Sequence, residues 1–174
     1  MRRICRITCF CLGWISLQAA NIPDWISFAG GVFNVMKEKY RTAEIDIEYK
    51  FHVKAFSAPF ECLEFLPLVG VMGNAQGGGY LYGGLNFDFL FLEHLVFAPG
   101  FAAGYYWKGG SKDLGFPLEF RSGIELGWQF GDGRRVGVHF YHLSNASIGH
   151  KNPGEESFVF YYDLPIRRKF PFYN

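Results

Sequence analysis

Cysteine is scarce in this chain. Of the four in 174 residues, Cys5, Cys9 and Cys11 lie in the first dozen positions and only Cys62 remains beyond them. A lone cysteine closes no internal disulfide, and no cysteine pair has metal-ligand spacing. Cys62 is expected to be a small apolar residue, buried or facing lipid. Long hydrophobic runs are also missing. Mean hydropathy is +0.04, and the apolar stretch 7–17 is too short to span a bilayer, so a bundle of membrane helices is excluded. Charge of one sign is lacking too, with 17 Lys and Arg against 16 Asp and Glu and no basic stripe. Nucleic acid is therefore not an expected partner. No G-x-S-x-G motif occurs, which leaves an α/β-hydrolase unsupported.

What the chain does have is aromatic residues: 20% of the whole, with 20 Phe and 10 Tyr. Its length suits one domain. Residues 1–20 read as a cleaved export signal. Arg2, Arg3 and Arg6 precede the apolar 7–17 stretch, and Ala19 and Ala20 offer small residues for cleavage. The remaining chain divides into residues 21–166, a strand-rich domain, and a tail, 167–174.

Strand signals recur along the domain. The clearest early one is 43–51, where Ile45, Ile47, Tyr49 and Phe51 alternate with Glu44, Asp46, Glu48 and Lys50. Such strict period-2 alternation indicates a two-faced sheet. Segments 25–36, 62–72, 80–91, 94–107, 117–130, 136–144 and 156–164 complete a set of eight, although the alternation of 62–72 cannot be assigned. In 80–91, Leu81, Leu85, Phe87, Phe89 and Phe91 oppose Tyr80, Tyr82, Asn86 and Asp88. In 117–130, Leu118, Phe120, Ile124, Leu126, Trp128 and Phe130 oppose Glu119, Arg121, Glu125 and Gln129. The connections after the odd strands read as longer and polar. Those after the fourth and sixth are tight, Asp132-Gly133 being a hairpin turn, and the one after the second is moderate.

An exported all-β chain with this rhythm predicts an eight-stranded antiparallel up-and-down transmembrane β-barrel in the outer membrane of a Gram-negative cell. Closure satisfies every backbone polar group, which lipid cannot do. A barrel of eight strands is filled by side chains. Glu44, Asp46, Glu48, Lys50, Glu119, Arg121 and Glu125 are expected to pair inside it.

The last hairpin, 134–164, carries the chemistry. Alternate strand residues share a face, so Phe140, His142 and Ser144 line one side of its first arm and Glu156, Phe158 and Phe160 one side of its second. A simple register opposes Ser144 to Glu156 and His142 to Phe158. That register sets Glu156 diagonal to His142, about 7–8 Å away between backbones. A hydroxyl, an imidazole and a carboxylate then meet on an otherwise apolar, lipid-facing surface. Histidine can take the proton of an attacking serine near neutral pH, and a carboxylate holds the imidazole in the right tautomer. Oxyanion donors are available in the loop between the arms, from Asn152, from backbone N–H groups near Ser147 and Gly149, and with Asn145 as a further substrate-binding candidate. Bland readings compete: His142 as an interfacial residue, Ser144 as a strand-end cap, Glu156 as a loop carboxylate paired with Lys151. His139, His142 and His150 form a poor metal set, because His139 and His142 face opposite ways.

The run His142-Leu143-Ser144-Asn145-Ala146-Ser147-Ile148-Gly149, followed by Lys151-Asn152-Pro153-Gly154-Glu155-Glu156, resembles the signature of the lipid A 3-O-deacylase (PagL-like) family, most strongly over 120–165. The resemblance implies an outer-membrane barrel that hydrolyses the 3-O-linked hydroxyacyl chain of lipid A without a metal or other cofactor. It implies Ser144 as nucleophile, His142 as base and Glu156 as orienting acid, with Asn152 and the Gly149 region at the oxyanion. Glu155 competes with Glu156 for the last role, and parity and spacing favour Glu156. Two features depart from the pattern: cleavage at Ala19 follows an imperfect Leu17, and the chain continues past Pro165 to Asn174 where such barrels usually end on an aromatic residue. The expected partners are lipopolysaccharide and membrane lipid, and a homodimer stays open. The runner-up is a non-enzymatic barrel with a structural or adhesive role. A soluble lipocalin-like barrel would need an apolar lumen, which the charged faces of the second and sixth strands oppose.

Overall fold

The computed structural model describes residues 23–52 and 63–166. The expectations for the export signal, Cys62 and the tail lie outside the described residues. Eight strands follow one another: β1 (Asp24–Phe33), β2 (Thr42–Lys50), β3 (Leu63–Asn74), β4 (Gly79–Phe91), β5 (Leu95–Trp107), β6 (Leu118–Gln129), β7 (Arg135–Ser144) and β8 (Glu155–Ile166). Each pairs antiparallel with its sequence neighbour, and β1 pairs with β8, so the sheet closes as a barrel without an edge. Among the described residues no helix is long and apolar enough to cross a membrane; a barrel crosses with its strands.

Closure sorts the alternating side chains. Ile45, Ile47, Val69, Leu81, Phe101 and Phe160 stand exposed on the outer wall, while Glu44, Asp46, Glu48, Lys50, Glu119, Arg121 and Glu125 are buried in the lumen. The lumenal charges pair as expected. Arg121 reaches Asp46 at 3.2 Å and Glu48 at 2.6 Å, and Lys50 reaches Glu125 at 2.8 Å and Asp163 at 3.3 Å. Arg135 and Asp88 add a pair at 2.8 Å. Charges removed from water cost several kcal/mol each unless partners and hydrogen bonds replace the lost hydration. The lumen meets that requirement by placing Arg121, Lys50 and Arg135 against carboxylates.

The lumen is not uniformly charged. Phe33, Leu68, Met72, Tyr80, Tyr106 and Leu143 form a packed cluster. This explains why β3 shows no clean alternation. Its inward residues Leu66, Leu68 and Met72 are apolar, and so are its outward Val69 and Val71.

The connections also differ from expectation in part. The ladder between β3 and β4 runs to Gly73↔Gly79, leaving only residues 75–78 as a turn where a longer loop reads in the sequence. The tight turn at Asp132-Gly133 forms as expected, with Gly133 at φ 89. There the Arg134 N–H donates to Asp132 Oδ1 at 3.1 Å, and that bond, then the Arg134 side chain, holds the Asp132 carboxyl below its usual range.

Candidate active site

β7 alternates strictly. Arg135, His139, Tyr141 and Leu143 point into the lumen and are buried, whereas Val136, Phe140, His142 and Ser144 face outward. On β8, Glu155, Ser157, Val159 and Tyr161 are buried and Glu156, Phe158 and Phe160 face outward. The expected faces are therefore those observed. The expected register is not. His142 lies directly opposite Glu156, and Phe140 opposite Phe158. The ladder has slipped by two residues from the simple pairing. A slip of two keeps every side chain on its face, so alternation in the sequence does not distinguish the two registers.

The slip improves the geometry. His142 Nδ1 lies 3.2 Å from Glu156 Oε1. The carboxylate accepts from the ring, so the proton sits on Nδ1 and Nε2 is left as an acceptor. The pair is partly open to the exterior, with side-chain exposures of 40% and 25%. Ser144, the last residue of β7, shares this outward face two positions on. Among the described residues its hydroxyl makes no hydrogen bond, to His142 or otherwise; such bonds in an unoccupied site commonly tighten when substrate arrives.

Gly154 seats the imidazole. It has φ +54, and a Cβ there would come within 2.6 Å of His142 Cε1 and 3.2 Å of Nε2. Only glycine lets the loop enter β8 at this point and lie flat against the ring. This is a site residue that the sequence reading passed over; its signal was a Pro-Gly turn immediately before the two glutamates.

Glu155, the competitor of Glu156, points the other way. It is fully buried, where its Oε2 accepts from the Asn34 N–H at 3.1 Å and the Ser157 hydroxyl at 3.1 Å. His139 is likewise lumenal, tilted against Tyr141. Among the described residues no three His, Cys, Asp or Glu side chains converge as a metal-ligand set.

The 145–154 loop is held from within. Asn145, fully buried, donates from Nδ2 to Leu114 O and to Lys151 O, both at 2.8 Å, and accepts the Ser147 N–H on Oδ1 at 3.0 Å. Its own backbone N–H goes to Asn152 Oδ1 at 3.1 Å. Asn145 thus fixes the backbone that follows Ser144 and has no side-chain donor left over. Ser147, whose N–H is spent on Asn145, is likewise removed from the oxyanion candidates. The Asn152 amide remains exposed, 3.4 Å from Ser147 Oγ. Gly149 packs against the neighbouring connection, where a Cβ would meet Gly115 O and Phe116 Cβ, each at 2.8 Å.

Comparison with known proteins identifies the family. Over 67 residues the chain is 39% identical to the lipid A deacylase PagL of Pseudomonas aeruginosa (strain PAO1), a match spanning 38% of this chain and 39% of that protein. A crystal structure of the outer membrane enzyme PagL superposes with a TM-score of 0.69 at 21% identity, covering 82% of this chain and 99% of the other; that likeness speaks for the fold. The model of the family described as lipid A 3-O-deacylase (PagL) matches residues 70–165, more than half of the sequence and all three outward polar residues. The chain belongs to the lipid A 3-O-deacylase (PagL) family.

Proposed function

We propose that the protein is an outer-membrane serine esterase that removes the 3-O-linked hydroxyacyl chain of lipid A, with Ser144, His142 and Glu156 as its catalytic residues. The observation that carries this reading is the His142–Glu156 pair at 3.2 Å on the outer wall, two residues from a serine on the same face. Polar groups facing lipid are costly and call for a functional reason. Family membership supplies the substrate class.

His142 Nε2 takes the Ser144 proton as Oγ attacks the ester carbonyl. Glu156 keeps the ring in the Nδ1–H tautomer and stabilises the imidazolium. Negative charge on the carbonyl oxygen is met by the Asn152 amide and the Gly149 N–H. As the tetrahedral species collapses, the C–O bond to the sugar breaks and His142 returns the proton to the departing sugar hydroxyl. The acyl group stays on Ser144 until water, activated by the same imidazole, releases it as a fatty acid. A site at the strand end serves both halves of this cycle, because the acyl chain arrives along the apolar wall while water reaches the exposed loop.

The test is mass spectrometry of lipid A from Gram-negative cells expressing the chain. The expected result is loss of one hydroxyacyl chain with the wild type and an unchanged profile with Ser144→Ala. A wild type that leaves lipid A intact overturns the reading and favours a non-enzymatic barrel.

A further inference from the structure

The four connections at the rim that carries the site are 34–41, 75–78, 108–117 and 145–154. Together they hold six basic residues, Lys37, Lys39, Arg41, Lys108, Lys112 and Lys151, against two acidic ones, Glu38 and Asp113. Among the described residues the opposite rim, at 92–94 and 130–134, holds Arg134 against Glu93 and Asp132. The sequence shows no basic stripe, yet the fold gathers dispersed basic residues into a positive collar around the end that carries the site. Such a field favours an anionic ligand at that end.

Within the collar lies a cleft of about 260 Å³ between the 108–117 and 145–154 connections, with Tyr106, Phe116, Lys108, Asp113 and His150 among its walls. Asp113 is engaged: its Oδ2 accepts from Lys151 Nζ at 3.0 Å and its Oδ1 from the Gly115 N–H at 3.0 Å. These bonds hold its carboxyl below the usual range, so it neutralises Lys151. Lys108, 3.9 Å from Asp113 and 59% exposed, is only loosely paired. The cleft therefore presents a lysine and an imidazole to solvent beside the exposed ring of Phe116. Cationic donors suit a phosphate, and ring faces suit the apolar side of a sugar. The wall of the cleft is tied to the segment that follows Ser144. Leu114, in its wall, accepts through its carbonyl from Asn145, the residue after Ser144, and Phe116 packs on Gly149.

We infer that this cleft is a subsite for a phosphate-bearing sugar, the headgroup of an acylated glycolipid, held by Lys108 and His150 and stacked against Phe116. The inference rests on the esterase reading for its purpose, since it explains how one ester among several would be brought to Ser144: the headgroup is anchored on the rim while its acyl chains run down the outer wall.

Binding to the Ser144→Ala protein in detergent micelles separates the two ideas. The probes are a phosphorylated acyl-glucosamine, its dephosphorylated counterpart and inorganic phosphate. The phosphorylated glycolipid is expected to bind about tenfold tighter than the dephosphorylated one, and inorganic phosphate alone at least a hundredfold weaker. Adding Lys108→Ala and His150→Ala together removes the preference, as does the single Lys108→Gln should the double variant lose its β-sheet circular dichroism. Lys39→Ala, which removes a rim charge away from the cleft, changes it less than twofold. Equal binding of the two glycolipids, a preference that survives loss of Lys108 and His150, or an equal loss with Lys39→Ala overturns the subsite. Inorganic phosphate binding as tightly as the glycolipid overturns it in favour of a free-anion site. A wild type that shows the expected binding pattern but releases no fatty acid refutes the esterase reading and leaves the subsite standing.

Discussion

His139 and His142 are three residues apart on one strand and live in different solvents. His139 is buried in the lumen among charged and aromatic neighbours, and His142 stands on the outer wall beside a single carboxylate. The same contrast holds for the glutamates. Glu155 is sealed inside against Asn34 and Ser157, and Glu156 reaches the imidazole outside. The two faces of the sheet use the same residue types for different ends. Inside, a carboxylate is one member of a network in which most charges are answered, and its contribution is to stability. Outside, a carboxylate has one partner, and that partner has a free ring nitrogen next to a serine. Catalytic promise follows from the unspent valence rather than from the charge itself.

Substitutions that separate the faces test this contrast. The largest effect on turnover is expected from Ser144→Ala, a loss of roughly 10⁴-fold or more in acyl release. The melting temperature in micelles should hardly change, because an outward strand-end hydroxyl contributes little packing; a folded Ser144→Ala protein with full activity would break the assignment. Glu156→Gln comes next, with a loss of about 10²–10⁴-fold, since the amide no longer holds the required tautomer. Glu155→Gln, measured in the same fatty-acid release assay, should cost less than tenfold. Equal losses from the two would erase the distinction between inside and outside.

Gly154→Ala sharpens the argument from the other side. Its Cβ meets His142 Cε1 at 2.6 Å, and a side chain at positive φ costs about 1 kcal/mol. Turnover should fall roughly 10–100-fold with only a modest drop in thermal stability. Arg121→Ala is expected to behave in the opposite way. Removing this guanidinium strands Asp46 and Glu48 without their partner, and it strips the cation from the face of Tyr82, 4.0 Å away. Breaking a buried pair costs about 3–5 kcal/mol, seen as a lower melting temperature, while activity per folded molecule changes least of all.

Much of this was legible in the letters. Period-2 alternation in β2, β4 and β6 assigns inward and outward residues without reference to any partner strand, because the pleat alone sends neighbours to opposite faces. The same parity places His142, Ser144 and Glu156 on one side and Glu155 on the other. β3 resisted, because the lumen beside it is apolar and both of its faces therefore look alike. Register resisted too, because slipping a hairpin by two residues leaves each side chain in the same environment class.

The sequence by itself determined an all-β chain of eight strands, the membership of the faces outside β3, and three residue types suited to cleaving an ester. Those are consequences of local backbone geometry and of which side chains tolerate lipid. Only the tertiary structure decided that His142 opposes Glu156, that Asn145 and Gly154 shape the loop around the ring, and that six scattered basic residues ring one mouth of the barrel. These depend on which distant segments meet when the sheet closes, and no single strand or loop contains that information.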